Sequence, residues 1–230
     1  MITDDFFNDL VEGNVLKHVP QNTEEWERVR IGRFTSSEMY KLLTPPKAKV
    51  DKEAGNLSET ALTYISVKVA ETITGQKKQD SYAFPLVYGK QTEPEAIEYF
   101  CKVTGFEHEP IGFIVFGDHA GGSPDGIING TEILEMKCPY AVETHIDYLM
   151  MVDQWDLKRY NPGYYYQCQS NLLFSDKSLC HFASYDPRYP EKQRLVRIPV
   201  KPDNDAFDRI TNILPKAIEE KLKMISLLTA

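Results

Sequence analysis

Apolar residues follow two rhythms along this chain. In the middle, Ile127-Ile128 and Ile133-Leu134 are short apolar runs on either side of Asn129-Gly130. Such runs around an Asn-Gly pair predict a β-hairpin. Side chains alternate along a strand, so Glu135 and Lys137 share one face, and Leu134, Met136 and Cys138 share the other, which suits a core. Ile111, Phe113 and Val115 alternate within 105–116, which predicts a strand region beside that hairpin. Further strands are expected over 181–186 and 195–200, the latter held to a sheet edge by Pro199 and Pro202. The second rhythm is helical. It runs through Trp26, Val29 and Arg30 until Gly32, and through Leu57, Leu62, Ile65 and Val69 within 56–74. It returns at Ala96, Ile97, Phe100 and Val103, and then at Ile146, Leu149, Met150 and Trp155 in a stretch from 140 to about 158. Asn161-Pro162-Gly163 breaks the chain before a helix over 164–174, and a terminal amphipathic helix is expected over 214–228.

Local signals refine these boundaries. Thr35 followed by Glu38 reads as a capping box, so a helix should begin at Ser36. Thr92 with Glu95, and Pro94 in a first turn, would start another helix and put Glu93 at its head. Residues 45–52, with Lys47, Lys49 and Lys52, read as a loop, and 75–80 as a polar turn with Lys77 and Lys78. Residues 1–24 carry few organising signals and read as a short helix around Phe6 to Leu10 or a loosely ordered lead-in. No linker-like composition and no repeat divides the chain, so residues 1–230 are expected to form a single domain.

Composition narrows the function classes. The chain has 230 residues, 42% hydrophobic, with 26 basic and 34 acidic side chains and a net charge of −8. That balance argues against a general nucleic-acid coat, but leaves room for a basic channel inside an acidic shell. The N-terminal residues are acidic, and no apolar run approaches the roughly 18 residues of a membrane span. The expectation is a soluble cytoplasmic protein. Cys101, Cys138, Cys168 and Cys180 form no C-x-x-C pair and no zinc spacing, so reduced thiols are expected. The five histidines are scattered.

The chemistry concentrates between Ser123 and Tyr140. Asp125 is followed ten residues later by Glu135, with Lys137 two beyond. Two carboxylates and an ammonium at the end of a buried hairpin are unfavourable there unless a divalent cation offsets them. Hard ions such as Mg²⁺ take carboxylate oxygens and keep waters. The spacing makes a geometric demand. A two-residue Asn129-Gly130 turn pairs Asp125 with Leu134 and turns it away from Glu135. A three-residue loop or a bulge near Gly130, pairing Asp125 with Ile133, brings both acids to one side, as does an Asp125 just outside the ladder. Upstream, the free N–H groups expected at Ser36, with Ser37, Arg30 and Arg33 nearby, would suit an anion such as phosphate.

These residues carry a resemblance. Pro124-Asp125 followed by Glu135-Met136-Lys137 resembles the signature of the PD-(D/E)xK nucleases. The longer Ser123-Pro124-Asp125-Gly126 with Leu134 to Tyr140 is similar to the lambda exonuclease and YqaJ-like viral recombinase family. Trp26-x-x-x-Arg30-x-Gly32-x-x-Thr35-x-Ser37-Glu38, Gly89-Lys90-Gln91-x-Glu93, Tyr164-x-x-Gln167-x-Gln169 and Tyr185-Asp186-Pro187-Arg188 match the same family, over about 25–200. The resemblance implies an α/β (α+β) fold with a restriction-endonuclease-like core, a central mixed β-sheet flanked by helices. It also implies a Mg²⁺- or Mn²⁺-dependent exonuclease that degrades one strand of double-stranded DNA from a 5′-phosphate, 5′ to 3′. Asp125 and Glu135, with the carbonyl of Met136 and with Glu93, would hold the metal. Lys137 and Gln167 would serve catalysis. Arg30 and Ser37 take the 5′-phosphate role from the resemblance; Ser36 adds a hydroxyl at the expected helix start, and Ser123 with Gln167 would steady the phosphate or the water. The four-cysteine cluster of some relatives is missing, so no iron–sulfur cluster is expected. A trimeric ring around DNA, a single-strand annealing partner and a phage or prophage origin also come with the resemblance. An endonuclease of the same superfamily and a non-catalytic DNA-binding module are the alternatives.

Overall fold

Two mixed sheets share a set of helices in the computed structural model, which describes residues 11–12, 15–16, 19–77 and 84–229. The expected Phe6–Leu10 helix and Lys78 lie outside the described residues. In chain order the elements are β1 (Val11–Glu12), β2 (Val15–Leu16), α1 (Glu24–Arg30), β3 (Phe34–Thr35), and a 3₁₀ turn (Ser36–Glu38) that runs into α2 (Met39–Leu43). Then come α3 (Lys49–Ala54), α4 (Glu59–Thr74), α5 (Phe84–Thr104), β4 (His108–Glu109), β5 (Phe113–Phe116), β6 (Ala120–Gly122), β7 (Gly126–Ile128) and β8 (Glu132–Lys137). The chain finishes with α6 (Val142–Leu149), α7 (Gln154–Tyr160), α8 (Pro162–Ser175), β9 (Cys180–Tyr185), β10 (Leu195–Val200) and α9 (Asn204–Thr229).

The sheet that carries the candidate chemistry has the order β10-β9-β8-β7-β4. β8 runs parallel to β9 and antiparallel to β7, and β10 forms one edge, as Pro199 predicts. Alternation sends its two faces to different cores. Ile127, Ile133, Cys180, Phe182 and Ile198 join the larger core with Tyr148, Tyr165 and Leu172. Ile128, Leu134, Met136, Ala183 and Tyr185 pack against Ala96 and Phe100 of α5. Each fully buried large apolar side chain contributes roughly 1.5–3 kcal/mol, enough that both cores together hold β8 in one register. The other sheet has the order β1-β2-β5-β6-β3, with β3 parallel to β6, and it supplies Phe34, Ile114 and Ala120 to the same larger core. Among the described residues, no helix is long and apolar enough to cross a membrane.

Several expected elements differ. Residues 105–116 divide between the sheets: β4 pairs with β7 beside the hairpin, but β5 pairs with β2 and β6 in the other sheet. The helix expected to start at Thr92 begins at Phe84 and carries Pro94 inside it. Pro94 has no N–H to give to the carbonyl of Lys90, and Thr92 caps nothing, since its hydroxyl donates to the Tyr88 carbonyl at 2.9 Å. Glu93 therefore sits within a continuous helix. Part of the expected 45–52 loop is the short exposed helix α3. The 140–158 stretch is two helices, and their inward positions belong to His145, Tyr148 and Leu157, while Ile146, Met150 and Trp155 are exposed. On α4, Tyr64 takes the core place expected for Leu62. The terminal helix begins ten residues earlier than expected, at Asn204 rather than Leu214, and continues through Pro215.

Candidate active site: two carboxylates and a lysine at the end of a hairpin

The hairpin turns on three residues. Ile128 pairs with Glu132, leaving Asn129, Gly130 and Thr131 in the loop. Asn129 and Gly130 both have positive φ, 48° and 75°, a conformation these two residue types tolerate best. Gly126 pairs with Leu134, so Asp125 lies one step beyond the ladder, one of the expected arrangements, and stands opposite Glu135 rather than Ile133. Either arrangement turns the acids to one side. The Asp125 N–H donates to the Leu134 carbonyl at 2.8 Å, and its Oδ2 accepts from the Met136 N–H at 2.6 Å. From the neighbouring strand, His108 Nε2 lies 2.8 Å from the Asp125 carbonyl, which only accepts, so this nitrogen carries the proton. A Cβ on Gly126 would stand 2.1 Å from that nitrogen, at φ 153°, which is why glycine follows Asp125.

Glu135 is 1% exposed and fully engaged. Its Oε1 accepts from Lys137 Nζ at 2.5 Å and from Gln167 Nε2 at 2.6 Å, and its Oε2 accepts from Asn171 Nδ2 at 3.1 Å. Lys137 also lies over the Tyr164 ring, 4.7 Å from its centroid. The electrostatics follow from burying like charges together. Burial, then Glu93, push Asp125 up to about 7, against the pull of Lys137 and the Met136 N–H. Burial raises Glu135 to about 7, with Lys137 opposing and Asp125 adding to the rise. Burial also raises Glu93, despite Lys137. Burial alone would lower the Lys137 ammonium, but Glu135 and Asp125 outweigh it and hold it above the ordinary lysine value.

All ten residues singled out in the sequence line one cleft of about 560 Å³: Glu93, Asp125, Glu135, Met136, Lys137 and Gln167 together with Arg30, Ser36, Ser37 and Ser123. Arg30 and Ser37 stand where this cleft meets a second cavity of about 960 Å³. In that second cavity Lys41, Lys68 and Lys77 pair with Glu38, Glu71 and Glu27. The Arg30 guanidinium stacks on Trp26, 3.9 Å from the ring centroid. Trp26 Nε1 in turn donates to Ser123 Oγ at 3.0 Å and to the Gly112 carbonyl at 2.9 Å, tying α1 to the hairpin. The chain turns at Gly32 (φ 70°), whose N–H donates to Glu71 and whose carbonyl accepts from Lys221 at 2.7 Å. Thr35 makes no side-chain cap; its Oγ1 lies 3.3 Å from Ser37 Oγ, so the element starts as a 3₁₀ turn.

The donor set suits a hard cation. Glu135 is a buried and Asp125 a half-buried carboxylate at one cleft wall, both raised by desolvation and crowding, and a divalent ion would relieve that directly. Among the described residues, no three His, Cys, Asp or Glu side chains gather into a metal cage. Mg²⁺ does not need one: one or two carboxylates with waters and substrate phosphate hold it.

Sequence reading missed four supports. Asn171, His108, Gln21 and Trp26 act through contacts between residues distant in sequence; Gln21, for instance, donates to the Pro124 carbonyl at 2.9 Å. Of these, Trp26 was visible as a helix-face position and as the first residue of a matched motif, but its bond to Ser123 was not. Asp186 and Arg188 hold the strand exit: Arg188 donates to Asp186 Oδ2 at 2.7 Å and to the Pro139 and Tyr140 carbonyls at 2.9 Å each.

A sequence model of the YqaJ-like viral recombinase domain matches residues 25–178, the span that contains all ten of the cleft residues singled out in the sequence. The chain belongs to the YqaJ-like viral recombinase family. Solved structures share its fold. An alkaline exonuclease (LHK-Exo) from Laribacter hongkongensis is 24% identical over 90% of this chain and 96% of its own, with a TM-score of 0.75. The same protein in complex with dAMP gives 25% identity, the same coverage and a TM-score of 0.74. A phage-related exonuclease from Haemophilus somnus 129PT is 19% identical over 85% and 96%, with a TM-score of 0.71. No curated protein matches the chain.

Proposed function

We propose that this member of the YqaJ-like family is a metal-dependent DNA exonuclease that removes one strand of a duplex from a 5′-phosphorylated end. The observation that carries the reading is the single cleft. It joins Asp125, Glu135 and Lys137 to Arg30 and Ser37. Asp125 and Glu135, with the Met136 carbonyl, would hold Mg²⁺ or Mn²⁺, and Glu93 would add a carboxylate from α5. A bound divalent cation supplies an acidified water and neutralises charge at the phosphate. Lys137 keeps its ammonium at the carboxylates and offers positive charge where the transition state gains negative charge. Gln167, at 2.6 Å from Glu135, steers that carboxylate, and Ser123, whose oxygen accepts from Trp26, keeps its proton to donate to a phosphate oxygen. Arg30, flattened on Trp26, can take two oxygens of a terminal phosphate in parallel. Strand polarity rests on this pocket: a phosphate bound at Arg30 sets the 5′ end against the carboxylates.

The family resemblance supports a ring-shaped homotrimer and a single-strand annealing partner that takes the 3′ strand left behind. The test of the enzymatic reading is digestion of linear and covalently closed duplex with Mg²⁺ or EDTA, beside Asp125→Asn. Loss of the linear form alone, with Mg²⁺ and the parent protein only, is expected. Cutting of the closed circle would replace the exonuclease with an endonuclease, and inertness under every divalent metal would leave a binding module.

A further inference from the structure

We propose that Asn171 is a positioning residue that makes Glu135 present a single oxygen to the cation; this rests on the metal-dependent reading above. Gln167 and Asn171 are one turn apart on α8, so both face β8. They divide the carboxylate between them: Gln167 holds Oε1 and Asn171 holds Oε2. The two oxygens have different surroundings. Oε1 is shared with Lys137 and Gln167, both of which line the cleft. Oε2 is turned to Asn171, which is 0% exposed and lies outside the cleft lining. Tied at Oε2, Glu135 cannot rotate to offer both oxygens to one ion.

A second observation sets Asn171 apart from an ordinary core amide. Its Oδ1 is buried without a hydrogen-bond partner among the described residues. A buried amide oxygen left unpaired is unfavourable by roughly 1–3 kcal/mol, so packing alone gives no reason for an amide here. Room is also kept for it: a Cβ on Gly122 would stand 2.2 Å from Asn171 Oδ1 and 2.8 Å from Ser36 Oγ. The side chain is retained for the end that donates to Glu135.

The test is calorimetric Mn²⁺ binding to the full chain without DNA, for the parent, Asn171→Leu and Asn171→Ser, with Leu172→Ala as a control that thins the neighbouring core. Groups that orient metal ligands typically change affinity about 10–100-fold when removed. Asn171→Leu should weaken Mn²⁺ binding by about that factor. Asn171→Ser, which keeps a shorter donor, should fall between it and the parent. Leu172→Ala should melt at a lower temperature yet bind Mn²⁺ like the parent while folded. If Asn171→Leu does not fold, the serine variant carries the comparison. Parental affinity in the Asn171 variants, or an equal loss in Leu172→Ala, overturns the positioning role. A parent that binds no Mn²⁺ overturns the metal-dependent reading, and this role with it.

Discussion

At the scale of single residues, the site is a set of charges held where burial disfavours them. Lys137→Ala removes the ammonium that balances Glu135 and faces the substrate. Loss of one such preorganised group lowers kcat by about a hundredfold to a thousandfold. The expected result is that loss with DNA binding retained, read by single-turnover cleavage beside a binding assay; a change in KM alone would contradict the role. The carboxylates also set a pH dependence. Asp125 and Glu135 are raised to about 7 in the folded protein, well above ordinary carboxylates. The folded state then holds these protons more tightly than the unfolded chain does. Their stabilising contribution is complete below about pH 4 and is lost as pH rises through about 7. His119 and His181 are lowered by burial and act in the opposite sense near pH 6, so the informative comparison is with Glu135→Gln, which keeps both histidines. In EDTA, the melting temperature of Glu135→Gln relative to the parent should rise between pH 6 and pH 8. Mg²⁺ at pH 8 should raise the parent and not the variant. A constant difference across that range would contradict the pKa assignment.

At the scale of elements, the hairpin was legible because two demands met: alternation placed Glu135 opposite the core residues, and Asp125 had to share its side. That excluded a two-residue turn. It left the loop position open, and Asn129 settles it by taking positive φ, which shifts the pair to Gly126 and Leu134. The start of α5 was hidden by Thr92 and Glu95, which imitate a capping box inside a helix that runs through Pro94. Ile146, Met150 and Trp155 looked inward because apolarity was the only guide, yet His145 takes the buried place by bonding Ser184 and the Gln193 carbonyl, each at 2.8 Å. Asn171 was invisible for a similar reason, since its partner lies 36 residues away. β4 and β7 yield an element-scale prediction. Gly126→Ala would press a methyl group against His108, and overpacking of this kind destabilises by about 1–3 kcal/mol. Adding His108→Ala should restore part of that loss in chemical denaturation; strictly additive losses would show that the close approach is not the cause.

At the scale of the molecule, an acidic chain of net charge −8 keeps a cleft in which cations and carboxylates are paired off, with Arg30 and Lys90 at the junction of its two cavities. The α1 turn, α5, the hairpin and α8 each supply part of the wall, so end recognition and cleavage are proposed to depend on one another through Trp26 and Ser123. The most direct measurement uses linear duplex DNA with one 5′-phosphate end and one 5′-hydroxyl end, digested with Mg²⁺ by the parent and by Arg30→Ala, with EDTA as the blank. The account predicts metal-dependent loss from the phosphorylated end, and an Arg30→Ala protein that degrades both ends at one slow rate. Equal digestion of both ends by the parent, or an unchanged preference in Arg30→Ala, would contradict it.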